Sequence, residues 1–286
     1  YIEDVVDGRR FLEIAKKATK KKPLILIKAG GTGAGARAAS SHTGALAGSD
    51  IAFNAAFKQT GVIRAGTIQE LFDLSLGFSS MKLPAGNRLL IITNAGGPGI
   101  LAADAAEREG LELPVLPAEL IEELKGGLPG NSSLFNPVDI IGDATSERYR
   151  FVLERMLKEG FFDGVIVILT PQAMTDVKEV AGTIIENARY NERPVIACFM
   201  GEARVREASD MLKVSGIPAY PYPEIAVKVF KKLYEFYMWK NSEENTAQTL
   251  SRDIESRRAK AMMEQFIKEG RGELTEAEAV KFLSLY

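Results

Sequence analysis

Short apolar runs alternate with longer segments of helical spacing along most of this chain. Four of the runs are almost uninterrupted by polar residues and predict strands over residues 24–29, 89–93, 164–170 and 195–199. Strands that are apolar on both faces are typical of parallel sheets that helices cover on both sides. The pattern therefore predicts an α/β fold built on parallel sheets.

Apolar residues recur at helical spacing between and after these runs. The predicted helices occupy residues 8–20, 48–60, 67–80, 98–110, 117–126, 146–159, 176–191, 203–214 and 223–238. Residues 1–5 and 62–64 form two shorter strand-like fragments. The segment 37–42 follows a glycine cluster without any apolar period, which predicts a flexible loop.

The stretch 81–87, MKLPAGN, predicts a boundary between a first unit, 1–80, and a second unit, 88–240. The second unit has four strand–helix repeats, whereas the first has one full internal strand, and a parallel sheet that small is hard to stabilise alone. We expect the first unit to dock on the second or to have its missing half elsewhere.

The last part of the chain, 241–286, begins with a polar segment without apolar periodicity, which predicts a linker over 241–254. Two short amphipathic helices follow, over 255–269 and 275–285. Thr275 and Glu278 have the spacing of a capping box at the start of the second of these helices.

Composition narrows the classes of protein to which the chain can belong. A net charge of -2 gives no reason to expect nucleic acid or a membrane surface as partner, and no apolar run approaches the length of a membrane span. The start of the chain lacks a signal peptide, so we expect a cytoplasmic protein. One cysteine, Cys198 in an apolar run, and one histidine argue for a buried thiol and against a zinc site.

The single histidine, His42, stands among small residues, so little bulk is available nearby to bury its ring. An imidazole in such a place can move and can carry charge or a transferred group near neutral pH. The alternative is a surface or capping histidine without a chemical role.

Two glycine clusters fit the spacing G-x-G-x-x-G/A, a pattern that alone is weak. The first contains Gly31 and Gly33. The second contains Gly97 and Gly99, follows a predicted strand and precedes a helix, so its free amides and the helix dipole suit a phosphate. No acidic residue is placed to hold a ribose, which favours a phosphate over NAD. The alternative is a tight turn that requires positive φ.

Three further residues, Glu3, Asp139 and Trp239, are candidates for function, and each also has a purely structural interpretation. Glu3 lies at the end of an apparent strand, where its carboxylate could accept the Nδ1–H of an imidazole and leave Nε2 nucleophilic; the alternative is a solvated glutamate. Residues 136–139, NPVD, predict a turn, in which Asp139 could bind a polar group but is first a structural residue. Trp239 is expected to pack at an edge.

Residues 41–50, SHTGALAGSD, together with 22–30, KPLILIKAG, resemble the NDP-forming acyl-CoA synthetases. This family includes ADP-forming acetyl-CoA synthetase and belongs to the succinyl-CoA synthetase superfamily. Residues 93–99, TNAGGPG, and 136–139 resemble a later domain of the same family. The resemblance covers essentially the whole chain.

The resemblance implies roles for particular residues. A histidine at the position of His42 is phosphorylated in that family and carries phosphate between two sites, and a glutamate that hydrogen-bonds it corresponds to Glu3. Two helix N-termini cradle the phosphohistidine, and the one in the later domain corresponds to Gly96, Gly97 and Gly99. The resemblance implies no resident metal in this chain; Mg²⁺ with ATP or ADP is bound mainly by other domains, and CoA is a substrate.

The resemblance also implies a domain organisation. The segments 1–80 and 88–240 would be two flavodoxin-like, succinyl-CoA synthetase-like units, the first incomplete, and 241–286 a linker with the first helices of an ATP-grasp domain. CoA-binding and ATP-grasp domains or subunits are the expected partners, with an acid, phosphate and nucleotide as small molecules, and we expect an oligomer. The rival hypotheses are a flavodoxin-like module that senses nucleotide or CoA without turnover, and a purely structural linker.

Overall fold

The computed structural model describes residues 1–43, 49–80, 82–245 and 255–285, which form helices around two parallel sheets. The elements follow one another as α1 Gly8–Lys21, β1 Ile25–Ile27, α2 Gly33–Thr43, α3 Asp50–Thr60, β2 Ile63–Ala65, α4 Ile68–Ser80, β3 Leu89–Thr93, α5 Gly96–Arg108, α6 Ala118–Lys125, β4 Val138–Asp139, α7 Ser146–Met156, β5 Gly164–Leu169, α8 Val177–Ala188, β6 Val195–Phe199, α9 Arg206–Val214, β7 Ala219–Tyr220, α10 Pro223–Asn245, α11 Ser256–Lys268 and α12 Glu276–Leu283.

The larger sheet contains five parallel strands of the described residues in the order β4-β3-β5-β6-β7. Numbered along the chain, this order is 2-1-3-4-5, which is the flavodoxin-like arrangement. Every residue of β3, β5 and β6 is buried, because apolar side chains on both faces pack against helices. The predicted α/β fold with parallel sheets is confirmed.

The smaller sheet pairs β1 with β2 in parallel, with Ile25 opposite Ile63. Ile2 extends it by one bridge to Lys28, in which the Ile2 amide donates to the Ile27 carbonyl at 3.0 Å. The strand-like fragment at residues 1–5 therefore contributes a single pairing. A separate small core under this sheet contains Ala15, Phe53, Phe57 and Val62.

Residues 1–240 form one compact unit and 241–286 a second. Within the first unit, α4 packs directly on the second half. The Tyr220 hydroxyl donates to the Asp73 carbonyl at 2.8 Å, and Lys228 forms an ion pair with Glu70 at 3.0 Å. The Phe78 ring packs edge to face against the ring of Phe236 in α10. The small sheet is thus stabilised by docking, the first of the two alternatives expected above, while the domain boundary at 81–87 stays a prediction.

The flexible loop predicted over 37–42 is wrong, because these residues belong to helix α2. The helix has no apolar stripe, but it contains four alanines, which have the highest helix propensity. Its start is fixed by Thr32, whose hydroxyl accepts from the Gly35 amide at 3.1 Å and whose carbonyl accepts from Ala36 at 2.7 Å. The helix therefore forms because of its alanine content and the cap at Thr32, although it lacks apolar periodicity.

The predicted linker begins later than expected, because α10 continues through Asn245. Residues 241–245 contain neither Gly nor Pro, so nothing in this segment ends the helix. The rest of the predicted linker, 246–254, lies outside the described residues. No helix in the part of the chain that the structure describes is long and apolar enough to cross a membrane.

The second unit contains the two predicted helices, α11 and α12, and the capping box is confirmed. The Thr275 side chain accepts from the Glu278 amide, and the Glu278 carboxylate accepts from the Thr275 amide at 2.9 Å. Hydrogen bonds from Arg271 and Thr275 lower the pKa of Glu278 to about 2. The carboxylate therefore stays ionised at the positive end of the helix dipole.

An ion pair between Arg88 and Asp163 lies at the amino-terminal ends of β3 and β5. We expect its removal to lower the stability of the fold. Arg88, before β3, donates from Nε and Nη2 to both carboxylate oxygens of Asp163, before β5, at 2.9 Å each. We expect Asp163→Ala to lower the free energy of unfolding by about 2 kcal/mol, since the Arg88 guanidinium and backbone amide lose their charged acceptor. Urea unfolding measures the change, and Glu186→Ala, at an exposed ion pair on α8, is the control with an expected loss below about 1 kcal/mol.

The same pair predicts a pH dependence. Burial alone would raise the pKa of Asp163, but the hydrogen bonds and charge of Arg88 outweigh burial and lower the pKa. A carboxyl whose pKa is lower in the folded protein stabilises it above the unfolded pKa, near 3.9, and loses that contribution as the pH falls further. The difference between wild type and Asp163→Ala should accordingly shrink below about pH 4; a constant difference would contradict the assignment.

Candidate functional site

The turn between β3 and α5 lies at the point where the strand order of the larger sheet reverses. Chain order leads from β3 outward to β4 on one side and to β5 on the other. Ligands of open α/β sheets bind in the crevice at the carboxyl ends of the strands beside such a reversal. The second glycine cluster of the sequence occupies this place, since α5 begins at Gly96.

Two buried polar side chains hold the turn in position. The Thr93 hydroxyl bonds to both the amide and the carbonyl of Ala95, at 3.0 and 2.8 Å. The Asn94 side chain donates to the Thr170 carbonyl and accepts from the Thr170 amide, each at 2.8 Å. The carboxyl ends of β3 and β5 are thereby tied together, which gives the start of α5 a fixed direction.

The helix N-terminus has no side-chain cap. Ala95, the residue at the cap position, has extended backbone and no side chain that could accept a hydrogen bond, so the first amides of α5 remain available to an external acceptor. None of the three predicted phosphate-binding glycines, Gly96, Gly97 and Gly99, has positive φ. The alternative of a tight turn that requires positive φ is therefore wrong.

The three glycines have different surroundings. A Cβ atom on Gly99 would lie 2.9 Å from Thr93 Cγ2 and 3.5 Å from Pro137, so this residue is glycine because the helix packs closely on the strand. A Cβ on Gly96 would lie 3.2 Å from Asp139 Oδ2, whereas one on Gly97 would meet nothing within 4 Å. Gly97 is the position where a ligand has open access to the helix end.

Residues from β4 and the following loop complete this edge. Residues 138–139 form strand β4 rather than the predicted turn, and the Asn136–Pro137 peptide before them is cis. The Asn136 side chain takes the place of a neighbouring backbone, accepting from the Ile91 amide at 3.0 Å and donating to the Leu89 carbonyl at 2.8 Å. This pattern explains why the strand can be so short.

Asp139 follows at the carboxyl end of β4. Its Oδ1 accepts from the Ile141 amide at 2.9 Å, while Oδ2 faces the Gly96 end of α5. Sequence reasoning left Asp139 as a structural residue and missed Asn94 and Thr170 altogether. The signal that could have found them is their position at the end of a predicted strand, Thr170 as its last residue and Asn94 directly after it, where side chains of a parallel sheet converge.

The histidine belongs to the smaller sheet. His42 lies in the last turn of α2, the helix that follows β1, and its side chain lies outside the described residues, as do residues 44–48. The helix folds back on the chain that leads into it, since a Cβ on Gly30 would lie 3.3 Å from the Ala39 Cβ. The backbone of His42 therefore lies about one helical turn beyond this contact.

Glu3 lies at the carboxyl edge of the small sheet, directly after the bridge between Ile2 and Lys28. It is half-buried, and its Oε1 accepts from the Tyr1 hydroxyl at 3.1 Å. This hydrogen bond raises the pKa of the Tyr1 phenol. The predicted hydrogen bond between Glu3 and His42 stays a prediction.

The remaining candidates are structural. Cys198 is fully buried in β6, and burial raises the pKa of its thiol, as expected for a packing residue. Trp239 stacks on Phe236 with 5.9 Å between ring centroids and covers Gly61, so its predicted packing role is confirmed. Within the described ranges no three His, Cys, Asp or Glu side chains are grouped as a metal site would require.

Two family models match the chain. The succinyl-CoA ligase like flavodoxin domain matches residues 1–77, and the ligase-CoA domain matches residues 89–245. The first match contains Glu3 and His42, and the second contains the glycine turn of α5.

Curated relatives match over nearly the same span. The alpha subunit of ADP-forming acetate–CoA ligase I from Pyrococcus furiosus is 44% identical over 84% of this chain and 52% of its own length. ADP-forming acetate–CoA ligase I from Archaeoglobus fulgidus is 40% identical over 100% of this chain and 40% of its own length. The chain thus spans about half or less of the length of these relatives.

A solved structure has the same fold. The dinucleotide-forming acetyl-coenzyme A synthetase 1 of Ca. Korarchaeum cryptofilum, in complex with phosphate and ADP, superposes with a TM-score of 0.81 and 35% identity over 86% of this chain and 54% of that one. The two domain matches and this structural similarity confirm the family resemblance that the sequence motifs indicate, and they do so for both halves of the first unit. The chain therefore belongs to the NDP-forming acyl-CoA synthetase family, in which a succinyl-CoA ligase-like flavodoxin domain is joined to a ligase-CoA domain.

Proposed function

We propose that this chain is part of an ADP-forming acid–CoA ligase that interconverts acyl-CoA, ADP and phosphate with acid, ATP and CoA through a phosphohistidine at His42. The observation that carries the proposal is the uncapped N-terminus of α5, open at Gly97 and fixed at the strand-order reversal. Family membership and the single histidine of the chain support the same reaction.

The proposed reaction has three steps. A phosphate oxygen attacks the thioester carbonyl, the C–S bond breaks, and CoA leaves with the formation of an acyl phosphate. His42 Nε2 then attacks the phosphorus, the P–O bond to the acyl group breaks, and the free carboxylate leaves. Finally, a β-phosphate oxygen of ADP attacks the phosphohistidine, the P–N bond breaks, and the imidazole returns to its neutral form.

Phosphoryl transfer depends on positioning and on neutralising the charge of the transferred group. The free amides at Gly96 and Gly97 and the dipole of α5 supply part of this charge compensation. Glu3 would accept the Nδ1–H of His42, hold Nε2 in its basic tautomer and stabilise the phosphorylated ring. Mg²⁺ would accompany the nucleotide and neutralise its phosphates in a partner domain, since the described residues offer no acidic cluster for it.

The proposal requires partners. CoA-binding and ATP-grasp domains or subunits must supply the sites for CoA and nucleotide, because this chain spans only about half or less of the length of its relatives. We also propose that the assembled enzyme is an oligomer. His42 would carry the phosphoryl group from the acyl phosphate to the nucleotide-binding partner.

Phosphohistidine labelling tests the function directly. The chain is incubated with its nucleotide-binding partner and Mg²⁺ plus ATP labelled in the γ-phosphate, and the bound label is then challenged with acid and with alkali. We expect label that acid removes and alkali does not. Binding of nucleotide or CoA without label would favour the sensing module instead, and neither label nor ligand binding would favour a structural linker.

Gly97→Ala tests the helix end itself. The added methyl group meets no protein atom within 4 Å, so folding should be unaffected, but it lies where a phosphoryl group would approach the amide. We expect the labelling rate to fall by about tenfold or more. Gly182→Ala is the matched control, since this glycine also lies in a helix with open space around it. Equal rates for the two variants would remove Gly97 from the site.

A further inference from the structure

The Asp139 carboxylate has one unused oxygen at the N-terminal end of α5. Oδ1 accepts from the Ile141 amide at 2.9 Å, whereas Oδ2 accepts no hydrogen bond from the residues that the structure describes. The Cα–Cβ bond of a helical residue tilts toward the helix N-terminus, and a Cβ on Gly96 would lie 3.2 Å from Oδ2. Oδ2 therefore lies beside the end of α5 whose first amides have no side-chain cap.

The backbone after β4 holds this carboxylate in its direction. Ile141 has a φ of 69°, a left-handed conformation that is an outlier for a β-branched residue, and its amide is the donor to Oδ1. Arg148 fixes the same turn from α7, since its Nη1 donates to the Ile140 carbonyl at 2.8 Å and to the Asp143 carboxylate. Strained backbone of this kind is concentrated at functional sites. The strain therefore indicates a functional reason for the direction of the Asp139 side chain.

A carboxylate is an unexpected neighbour for an anion site. The amides and dipole of α5 attract an anion, but Asp139 repels any anion that brings neither a proton nor a cation. Within the described ranges, Asp139 has no ion pair and is not grouped with two further acidic, His or Cys side chains as a metal site would require. An ionised carboxylate is an acceptor only, so an anion that binds beside Oδ2 must donate a hydrogen bond to it.

We propose that Asp139 is a specificity-determining residue that selects inorganic phosphate over sulfate, by accepting a hydrogen bond from the proton that phosphate retains at neutral pH. This inference rests on the proposed function, in which phosphate and the transferred phosphoryl group meet the N-terminus of α5. The two anions have nearly the same size and shape, so amides and a helix dipole distinguish them poorly. Sulfate has no proton at neutral pH and would set an oxygen lone pair against Oδ2. A site built to pair with a donor rejects an analogue that lacks it.

The test is equilibrium dialysis of radiolabelled inorganic phosphate, with sulfate as competitor, against the chain in complex with its CoA-binding and nucleotide-binding partners. We expect the wild type to bind phosphate more tightly than sulfate by about tenfold or more, and Asp139→Asn to reduce this ratio by a similar factor. Asparagine keeps an oxygen for the Ile141 amide and places a donor at the second position. Phosphate thus loses its acceptor, while sulfate loses a repulsive charge.

Two further variants separate the causes. Asp143→Asn removes the same charge from the same loop, at a carboxylate that pairs with Arg148, and should leave the ratio within about twofold of wild type. Asp139→Ala removes the carboxylate without adding a donor and should also lower the preference for phosphate. Circular dichroism and urea unfolding check that each variant is folded.

Several results would overturn the inference. An unchanged ratio in Asp139→Asn does so, and so does a ratio that falls there but not in Asp139→Ala, since the new amide donor would then be the cause. Loss of phosphate binding by the wild type when Mg²⁺ is chelated would show that Asp139 acts through a cation, and failure of both Asp139 variants to fold would make it a structural residue; each result excludes the inference.

The outcome for the wild type separates this inference from the proposed function. A wild-type chain that takes no label from ATP and binds no phosphate sinks both. A wild-type chain that is labelled from ATP but binds phosphate no better than sulfate sinks this inference alone.

Discussion

Replacing His42 with alanine is expected to abolish the acid-labile phosphorylation of the chain. Phosphohistidine requires an imidazole nitrogen, and the sequence contains no second histidine. The one cysteine cannot substitute, because Cys198 is fully buried and burial raises the pKa of its thiol. The loss should therefore be complete rather than partial.

The structure makes this variant a clean test of chemistry. His42 lies in the last turn of an alanine-rich helix, and alanine is the strongest helix former, so α2 should remain folded in His42→Ala. Circular dichroism and thermal unfolding check this directly. Label counted after gel filtration at neutral and alkaline pH measures the phosphorylation.

Ser41→Ala is the matched control for His42→Ala. Ser41 is the exposed neighbour on the same helix, and a phosphoserine would resist acid, unlike a phosphohistidine. We expect Ser41→Ala to label as the wild type does. Acid-labile label that persists in His42→Ala would contradict the proposed function. Label that is lost only in Ser41→Ala would assign the phosphate to Ser41 and would contradict the proposed function as well.

The three central strands of the larger sheet, β3, β5 and β6, can be predicted from the sequence because both of their faces are buried. In β3, β5 and β6 every side chain is buried, so an uninterrupted apolar run is both necessary and recognisable. Short strands at the edges give no such signal. β4 has two residues and depends on the Asn136 side chain, which bonds to β3 from outside the strand. A local sequence pattern contains no information on that contact.

Helix α2 is an example of a helix that apolar periodicity does not predict. Its small residues give no apolar stripe, and its start depends on a threonine hydroxyl rather than on packing. The sequence does contain the relevant signal, four alanines after Thr32, but a search for apolar spacing passes over it. Residues of functional interest stand in such segments because bulk and burial would restrict them.

The candidate site was predictable in position but not in detail. A glycine cluster between a strand and a helix indicates the helix N-terminus, and the structure has a helix beginning at Gly96. The sequence cannot distinguish Gly99, which packs on Thr93, from Gly97, which is open. Nor can it join Asn94 to Thr170, since 76 residues separate the two. The first distinction arises from the packing of α5 on β3 and the second from strand order, and periodicity encodes neither.

Glu3→Gln is expected to slow phosphorylation of His42 by about 10²-fold, the magnitude of a general-base contribution. Glutamine has the shape of glutamate and keeps an oxygen that can accept the Nδ1–H, but it loses the negative charge that makes Nε2 basic and stabilises the ring once it is phosphorylated. The effect should appear in the rate at saturating ATP, because nucleotide binds elsewhere. Rapid-quench labelling with the nucleotide-binding partner measures that rate.

The contact between Glu3 and Tyr1 provides the control that separates charge from local structure. Tyr1→Phe removes the hydroxyl that donates to Glu3 Oε1 at 3.1 Å and leaves the carboxylate charge in place. If Glu3 acts through its charge on the imidazole, Tyr1→Phe should label within about twofold of wild type while Glu3→Gln does not, an expectation consistent with the small effect of an exposed hydrogen bond. Equal rates in wild type and Glu3→Gln would show that the tautomer and basicity of His42 are set by another group, and would leave the half-buried Glu3 without a role in the phosphorylation.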